Sequence, residues 1–151
     1  MDCVFCQISE GAAPAHKVWE DAHHLAFLSI YPNTEGVTVV IPRRHSDSYV
    51  FNNPQTDVEE LMRAAREVAD ILVKKFLSAD RVALVFEGCG VNHLHVKLFP
   101  LHGTAFISKE GSSNASLPTT KYDRYPGYVS THDAARASDD TLSKLAAFLR
   151  A

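Results

Sequence analysis

The chain has 151 residues, of which 46% are hydrophobic and 22% charged, and its formal net charge at pH 7 is −3. This composition is typical of a globular protein with one hydrophobic core, and we expect a single domain over residues 1–151. The small negative charge, without a run of Lys or Arg, argues against extended nucleic-acid binding. The absence of a signal peptide or membrane-length apolar stretch predicts a cytoplasmic protein that does not bind membranes.

The first motif in the chain is a Cys-x-x-Cys pair formed by Cys3 and Cys6, and Cys89 makes the number of cysteines odd. In a chain without an export signal, this pattern favours metal or redox chemistry over structural disulfides. No βαβ pattern follows the pair, which argues against a thioredoxin-like redox role. The simplest alternative is a reduced pair of cysteines near a frayed terminus.

Short strand-like segments and one long helix make up the next part of the chain. We predict strands at about 17–20, 25–30 and 37–41, with residues 33–36 as the turn between the last two. A helix is predicted over about 57–77, because apolar residues recur there at steps of three and four. These residues are Val58, Leu61, Met62, Ala65, Val68, Leu72 and Phe76. Thr56 and Glu59 match a capping box at its start.

Two further strands follow the helix, at about 81–86 and 91–99, and a glycine-rich turn at 87–90 predicts that they pair antiparallel. Residues 101–130 have the composition of a long loop, and a final helix is expected over 138–150. The predicted fold class is therefore α+β, an antiparallel meander of about five strands with one long helix and a C-terminal helix.

Within the last predicted strand, polar and apolar residues alternate, so that His93, His95 and Lys97 share one face. Two imidazoles and an ammonium at intervals of about 6–7 Å suit an anionic centre such as a phosphate. The alternative is an exposed strand that carries two histidines by chance. Glu87 and Asp133 are both candidates for an ion pair with Lys97.

Several motifs occur in a fixed order between residues 3 and 100. They are Cys3-x-x-Cys6, Glu20-Asp21, Ala26-Phe27, Ile30-Tyr31-Pro32, Val40 to His45, and Gly-x-x-Val-x-His-x-His from Gly88 to His95. This order resembles the histidine triad (HIT) family of nucleotide hydrolases and transferases, in its bacterial type. The resemblance implies a homodimer of a small α+β fold that binds a small-molecule nucleotide, with a core at 3–100 and a C-terminal extension at 101–151.

The resemblance also implies roles for individual residues. His95 matches the family's nucleophile, which attacks a nucleotide α-phosphate and forms a covalent nucleotidyl-histidine. Lys97 stands at the third histidine of the triad, where its charge can stabilise the phosphoryl group but where it relays protons poorly. The residues that match the nucleotide-binding positions are Ser29, Ile30, Gly88, Cys89 and Gly90.

Lys97, Cys89 and Ser29 depart from the residues usual in the family, which leaves two alternatives open. The first is a nucleotide-binding or sensing module with little or no turnover. The second is a zinc-stabilised interaction protein.

A metal site is the second constellation that the resemblance implies. Cys3, Cys6, His45 and His93 match the ligand set of zinc-bearing members. Two thiolates and two imidazoles form a chemically sound tetrahedral zinc site. Because four protein ligands leave no open position, we expect a structural zinc.

Overall fold

The computed structural model describes residues 3–104 and 138–140. The predicted loop at 101–130 and the predicted helix at 138–150 lie outside the described residues except at their beginnings. Within the described part of the chain, no helix has the length and apolar character needed to cross a membrane. The extent of the domain over residues 1–151 and the cytoplasmic location stay predictions.

A five-stranded antiparallel sheet organises residues 3–104, with the strand order β1-β2-β3-β5-β4. The strands are β1 (Lys17–Glu20), β2 (His24–Leu28), β3 (Thr38–Pro42), β4 (Ala79–Val85) and β5 (Val96–His102). Every neighbouring pair is antiparallel, and β5 lies between β3 and β4. The predicted α+β class, with about five antiparallel strands, is confirmed.

A short helix precedes the sheet, and the sequence analysis missed it. This helix, α1 (Val4–Glu10), has only seven residues and ends at Gly11, whose φ of +78° is left-handed. The Gly11 N–H donates to the Ile8 carbonyl at 3.1 Å, which satisfies a carbonyl at the helix end. In the sequence, the signal for this helix is a glycine that directly follows a short amphipathic segment.

The long predicted helix is present as α2 (Gln55–Lys75), after a 3₁₀ turn at Val50–Asn52. Its predicted capping box is wrong, because the helix begins at Gln55, one residue before Thr56. The Glu59 carboxylate instead accepts a hydrogen bond from Gln55 Nε2 at 2.7 Å. Pro54 stands at the N-cap position and provides no side-chain hydrogen bond.

The two faces of the sheet pack against different helices. On one face, α2 and the sheet enclose the larger core, whose buried residues are Ala26, Val40, Val50, Leu61, Ala64, Ala65, Val68, Leu72, Leu94, Val96 and Leu98. On the other face, α1 covers a smaller core of Ile8, Leu25, Phe27, Val39 and Ile41, with Phe5 packed against it. We call this second surface the α1 face.

The last strand begins later than predicted. The sequence analysis placed a strand at 91–99, but β5 begins at Val96, so His93 and His95 lie just before it. The chain there hydrogen-bonds to the segment after β3: Leu94 N donates to the Ser46 carbonyl at 3.1 Å, and Ser48 N donates to Asn92 Oδ1 at 3.2 Å. These bonds replace strand pairing and hold the two histidines at the edge of the α1 face.

Leu61→Ala should lower the free energy of unfolding by about 2–5 kcal/mol, because Leu61 is fully buried in the α2 core and the truncation leaves a cavity. Leu77→Ala makes the same chemical change at a side chain that is 97% exposed, and it should cost less than about 0.5 kcal/mol. Urea denaturation followed by circular dichroism measures both. Equal losses in the two variants would contradict this description of the core.

Candidate metal centre and the neighbouring active-site face

The four residues predicted to bind metal converge on one point, although they come from three separate parts of the chain. Cys3 immediately precedes α1, Cys6 lies within it, His45 follows β3, and His93 precedes β5. Their ligand atoms all lie within 4.8 Å of one another. Cys6 and His93 are buried, Cys3 is partly buried, and His45 is exposed.

Three sulfur–nitrogen distances among these atoms match the edges of a tetrahedral zinc shell. Cys6 Sγ lies 3.3 Å from His45 Nδ1 and 3.5 Å from His93 Nδ1, and Cys3 Sγ lies 3.5 Å from His93 Nδ1. Zinc bonds of about 2.3 Å to sulfur and about 2.0–2.1 Å to nitrogen give tetrahedral sulfur–nitrogen edges of about 3.5 Å. The donor set therefore fits zinc, and the prediction of zinc as cofactor is confirmed.

A backbone hydrogen bond holds the His93 ring in the orientation that a metal ligand needs. His93 Nε2–H donates to the Pro42 carbonyl at 2.8 Å, which leaves the lone pair of Nδ1 directed at the two sulfur atoms. Burial lowers the pKa of His93, so the ring is neutral and able to coordinate. Burial also raises the pKa of the Cys6 thiol, so a metal ion that binds there displaces its proton.

His95, the predicted nucleophile, is buried and fixed in one tautomer. Its side chain is 1% exposed, and Nδ1–H donates to the His93 carbonyl at 2.7 Å. Nε2 therefore carries the lone pair. Burial lowers the pKa of His95, and the nearby charge of Lys97 lowers it further, whereas the hydrogen bond to His93 and the charge of Glu87 oppose the shift. The ring is neutral near pH 7, as a nucleophile must be.

Phe5 of α1 lies against both histidines, and the sequence analysis did not identify it. Its ring centroid is 5.5 Å from that of His95 and 5.9 Å from that of His93, in edge-on geometry in both cases. Aromatic pairs of this kind favour one ring orientation. Phe5 therefore helps to fix the orientation of both imidazole rings. The sequence offered no signal for this contact, because it joins residues about 90 positions apart, even though Gly11 could have indicated α1 itself.

Lys97 is paired with an acidic side chain. Its Nζ forms a partly buried ion pair with Glu87 Oε1. Of the two partners that the sequence analysis considered, Glu87 is thus the one observed, and Asp133 lies outside the described residues. The Lys97 ammonium is therefore not an isolated positive charge.

The glycine-rich turn follows Glu87 directly and depends on its glycines. Gly88 and Gly90 have φ values of +68° and +88°. A Cβ atom on Gly88 would lie 2.8 Å from the Ser48 carbonyl oxygen, so only glycine fits this approach. Cys89, between them, is exposed. The turn presents its backbone beside the Lys97–Glu87 pair.

Two further residues were predicted to bind nucleotide. Ser29 and Ile30 follow β2, where Ser29 N donates to the Val37 carbonyl at 2.8 Å and Ile30 is 71% exposed. Within residues 3–104, no hydrogen bond links either residue to His95 or Lys97. Their role in nucleotide binding stays a prediction.

Comparison with known proteins gives a consistent match. The family model described as the HIT domain matches residues 10–104. An uncharacterised HIT-like protein of Methanocaldococcus jannaschii is 33% identical over 103 residues, which cover 65% of this chain and 78% of that protein.

Solved structures agree with this match. A Zn-bound histidine triad family protein from Mycobacterium smegmatis superposes with a TM-score of 0.61 at 31% identity, covering 66% of this chain and 75% of that one. A HIT family hydrolase from Legionella pneumophila Philadelphia 1 superposes with a TM-score of 0.56 at 29% identity, covering 65% and 91%.

Zinc should copurify with the protein at about one ion per chain, as measured by elemental analysis after purification without a metal-affinity column. Cys6→Ser should lower the melting temperature by more than about 5 °C, because it removes a ligand whose binding free energy contributes to folding. Cys89→Ser is the matched control, since Cys89 is exposed and outside the cluster, and it should shift melting by less than about 2 °C. A metal-free preparation with full stability would contradict the zinc site.

Proposed function

The chain belongs to the histidine triad (HIT) family, and on that basis we propose that it is a nucleotide phosphohydrolase or nucleotidyl transferase. The proposed substrate is a nucleotide phosphoanhydride, phosphoramidate or related ester, cleaved at its α-phosphate. The observation that carries the proposal is the tautomer of His95. Its Nδ1–H is bound to the His93 carbonyl, so Nε2 is available to attack.

The first step proceeds at Nε2 of His95. This atom bonds to the α-phosphorus, and the bond from phosphorus to the leaving group breaks with its electron pair passing to the leaving group. The positive charge that develops on the ring is stabilised through Nδ1–H and the His93 carbonyl. A covalent nucleotidyl-histidine remains, and water or another acceptor releases the nucleotide from it.

Two groups beside His95 are suited to stabilise the phosphoryl oxygens. The Lys97 ammonium lies two residues along the same face, and the backbone of Gly88 to Gly90 follows directly after Glu87, the ion-pair partner of Lys97. Preorganised donors of this kind stabilise charge that develops in a transition state. We assign Lys97 the role of electrostatic helper, with its position set by Glu87.

Zinc, in this proposal, has a structural role. When bound by Cys3, Cys6, His45 and His93, it would hold α1 against the segments after β3 and before β5, and its four protein ligands would leave no position for substrate. The chemistry therefore belongs to the His95 side. Phe5 links the two regions, because it packs against both histidines.

A second candidate function is nucleotide binding with little turnover. The Lys97–Glu87 pair supports it, since an acidic side chain beside an anionic substrate weakens the net positive field.

The proposed homodimer is compatible with either function. At the sheet edge, Leu84 of β4 is 37% exposed beside Met62 of α2, which is 41% exposed, and these apolar side chains offer a surface for a second copy.

His95→Ala should abolish turnover while leaving the fold and most of the nucleotide affinity intact, because the nucleophile is irreplaceable but makes only one of several contacts. A panel of dinucleoside polyphosphates and aminoacyl or amide adenylates identifies a substrate for the wild type. Acid-labile, base-stable labelling of His95, located by mass spectrometry, tests the covalent step. His16→Ala, at an exposed histidine, is the control and should keep wild-type activity.

Two outcomes would count against this assignment. Hydrolysis by His95→Ala at the wild-type rate would exclude His95 as the nucleophile. Binding of nucleotides by the wild type without turnover of any compound in the panel would favour the second candidate function.

Lys97→Met should lower kcat/KM by about 10- to 100-fold, because a charged hydrogen bond to the phosphate is lost and Glu87 is left without its partner. Lys97→His should restore activity on substrates with poor leaving groups, since an imidazole can relay a proton. Lys17→Met breaks an exposed pair with Glu20 and should leave the kinetics unchanged. Equal kinetics for Lys, Met and His at position 97 would show that this side chain does not contact the substrate.

A further inference from the structure

The second half of the proposed reaction requires a proton acceptor that the residues assigned so far do not supply. Water must lose a proton as it attacks the nucleotidyl-histidine. His95 Nε2 is bonded to phosphorus at that stage, and Nδ1–H is held by the His93 carbonyl. An ammonium such as that of Lys97 has no lone pair with which to accept a proton. The His93 ring is committed to the Pro42 carbonyl and to the metal cluster.

The register of the sheet identifies Glu87 as the nearby acceptor. In the antiparallel ladder of β4 and β5, Val85 lies opposite Lys97, which is the last pair of that ladder. Glu87 follows β4 and His95 precedes β5, so both lie just beyond this last pair, and the charge of Glu87 acts on the His95 ring. The ion pair between Glu87 and Lys97 links the segment after β4 directly to β5.

The environment of Glu87 suits a group that exchanges a proton with bound water. Its side chain is 20% exposed, so it is neither fully solvated nor sealed from water. Within residues 3–104, its only side-chain partner is Lys97, which contacts Oε1. Oε2 is thus available to a water molecule. The Lys97 ammonium also shields the carboxylate from the negative charge of a phosphate, which would otherwise repel it.

We propose that Glu87 is the general base of the second half-reaction and accepts the proton of the water that cleaves the nucleotidyl–His95 bond. The inference rests on the proposed function. The water oxygen bonds to phosphorus, the bond between phosphorus and Nε2 breaks, and its electron pair returns to the ring. The water proton passes to Glu87 Oε2, which later releases it to solvent. Lys97 keeps its charge on the phosphoryl oxygens throughout.

The alternative is that Glu87 only positions Lys97. The two roles differ in which step they affect. A positioning residue supports Lys97 in both half-reactions, so its loss slows formation and breakdown of the intermediate together. A general base for water acts only on breakdown, so its loss leaves formation intact and causes the nucleotidyl-enzyme to accumulate.

The experiment compares the wild type with Glu87→Gln on p-nitrophenyl esters of the four nucleoside 5′-monophosphates. Nitrophenolate leaves without being protonated, so the first step needs no acid. Its release therefore reports the rate of that step directly. Glutamine keeps an oxygen that accepts from Lys97 but is not a base. Glu20→Gln is the matched control, because it also removes a carboxylate that pairs with cations, on an exposed strand.

We expect Glu87→Gln to give a burst of about one nitrophenolate per active site, followed by a steady-state rate lowered about 10²- to 10⁴-fold, the range typical of a lost general base. Labelled His95 should accumulate. Glu20→Gln should behave as the wild type. If Glu87→Gln melts at a lower temperature, Glu87→Ala assayed with added formate provides the second measurement, and formate should restore breakdown selectively.

Other results would overturn the inference. If Glu87→Gln lowers the burst rate and the steady-state rate equally, or lowers neither, Glu87 is not the general base of the second step. Labelling of His95 in the wild type would then still support the proposed function. If formate does not restore breakdown in a folded Glu87→Ala variant, this role of Glu87 is also rejected. A wild type that neither releases nitrophenolate nor labels His95 would reject the proposed function, and the role of Glu87 with it.

Discussion

The hydrogen bond from His93 Nε2–H to the Pro42 carbonyl is the constraint on which the rest of the site depends. It turns Nδ1 of His93 toward the two cysteines and fixes the backbone of the segment that leads into β5. The carbonyl of the same residue then accepts from Nδ1–H of His95. Because the two rings are held through different nitrogens, different nitrogens carry the lone pair: Nδ1 of His93, directed at the two cysteines, and Nε2 of His95, the proposed nucleophile. One segment of backbone thus serves two separate kinds of chemistry.

Much of the fold could be predicted from the sequence, because strand and helix periodicities act locally. The bounds of β1 agree with the predicted strand at 17–20, and α2 was predicted to within two residues at each end. The boundary of β5 could not be predicted in the same way. Alternation continues through His93 and His95, but the backbone there bonds to Ser46 and not to a strand. Side-chain pattern alone does not show which backbone groups are paired.

The candidate site could also be predicted only in part from the sequence. The sequence indicated the cluster of Cys3, Cys6, His45 and His93 through its resemblance to zinc-bearing family members, and the alternation before Lys97 placed His95 and Lys97 on one face. Phe5 could not be identified, since an aromatic residue near the start of the chain is ordinary until α1 places it on two imidazoles. Glu87 was one of two candidate partners for Lys97, and only the structure shows that it forms the ion pair and that its charge acts on His95. Long-range pairing, not composition, decides such contacts.

The dependence of α1 on distant ligands has a consequence for the order in which the protein folds. A helix of seven residues is too short to form by itself in water. The partners of Cys6 lie 39 and 87 residues further along the chain, at His45 and His93. These partners are held in place only once β3 and β5 have paired, and contacts of such long separation form late because loop closure is costly. Metal uptake therefore belongs to the end of folding. Until then, Cys3 and Cys6 lack their partners in the cluster, so these thiols stay open to oxidation although they precede His45 and His93 in the chain.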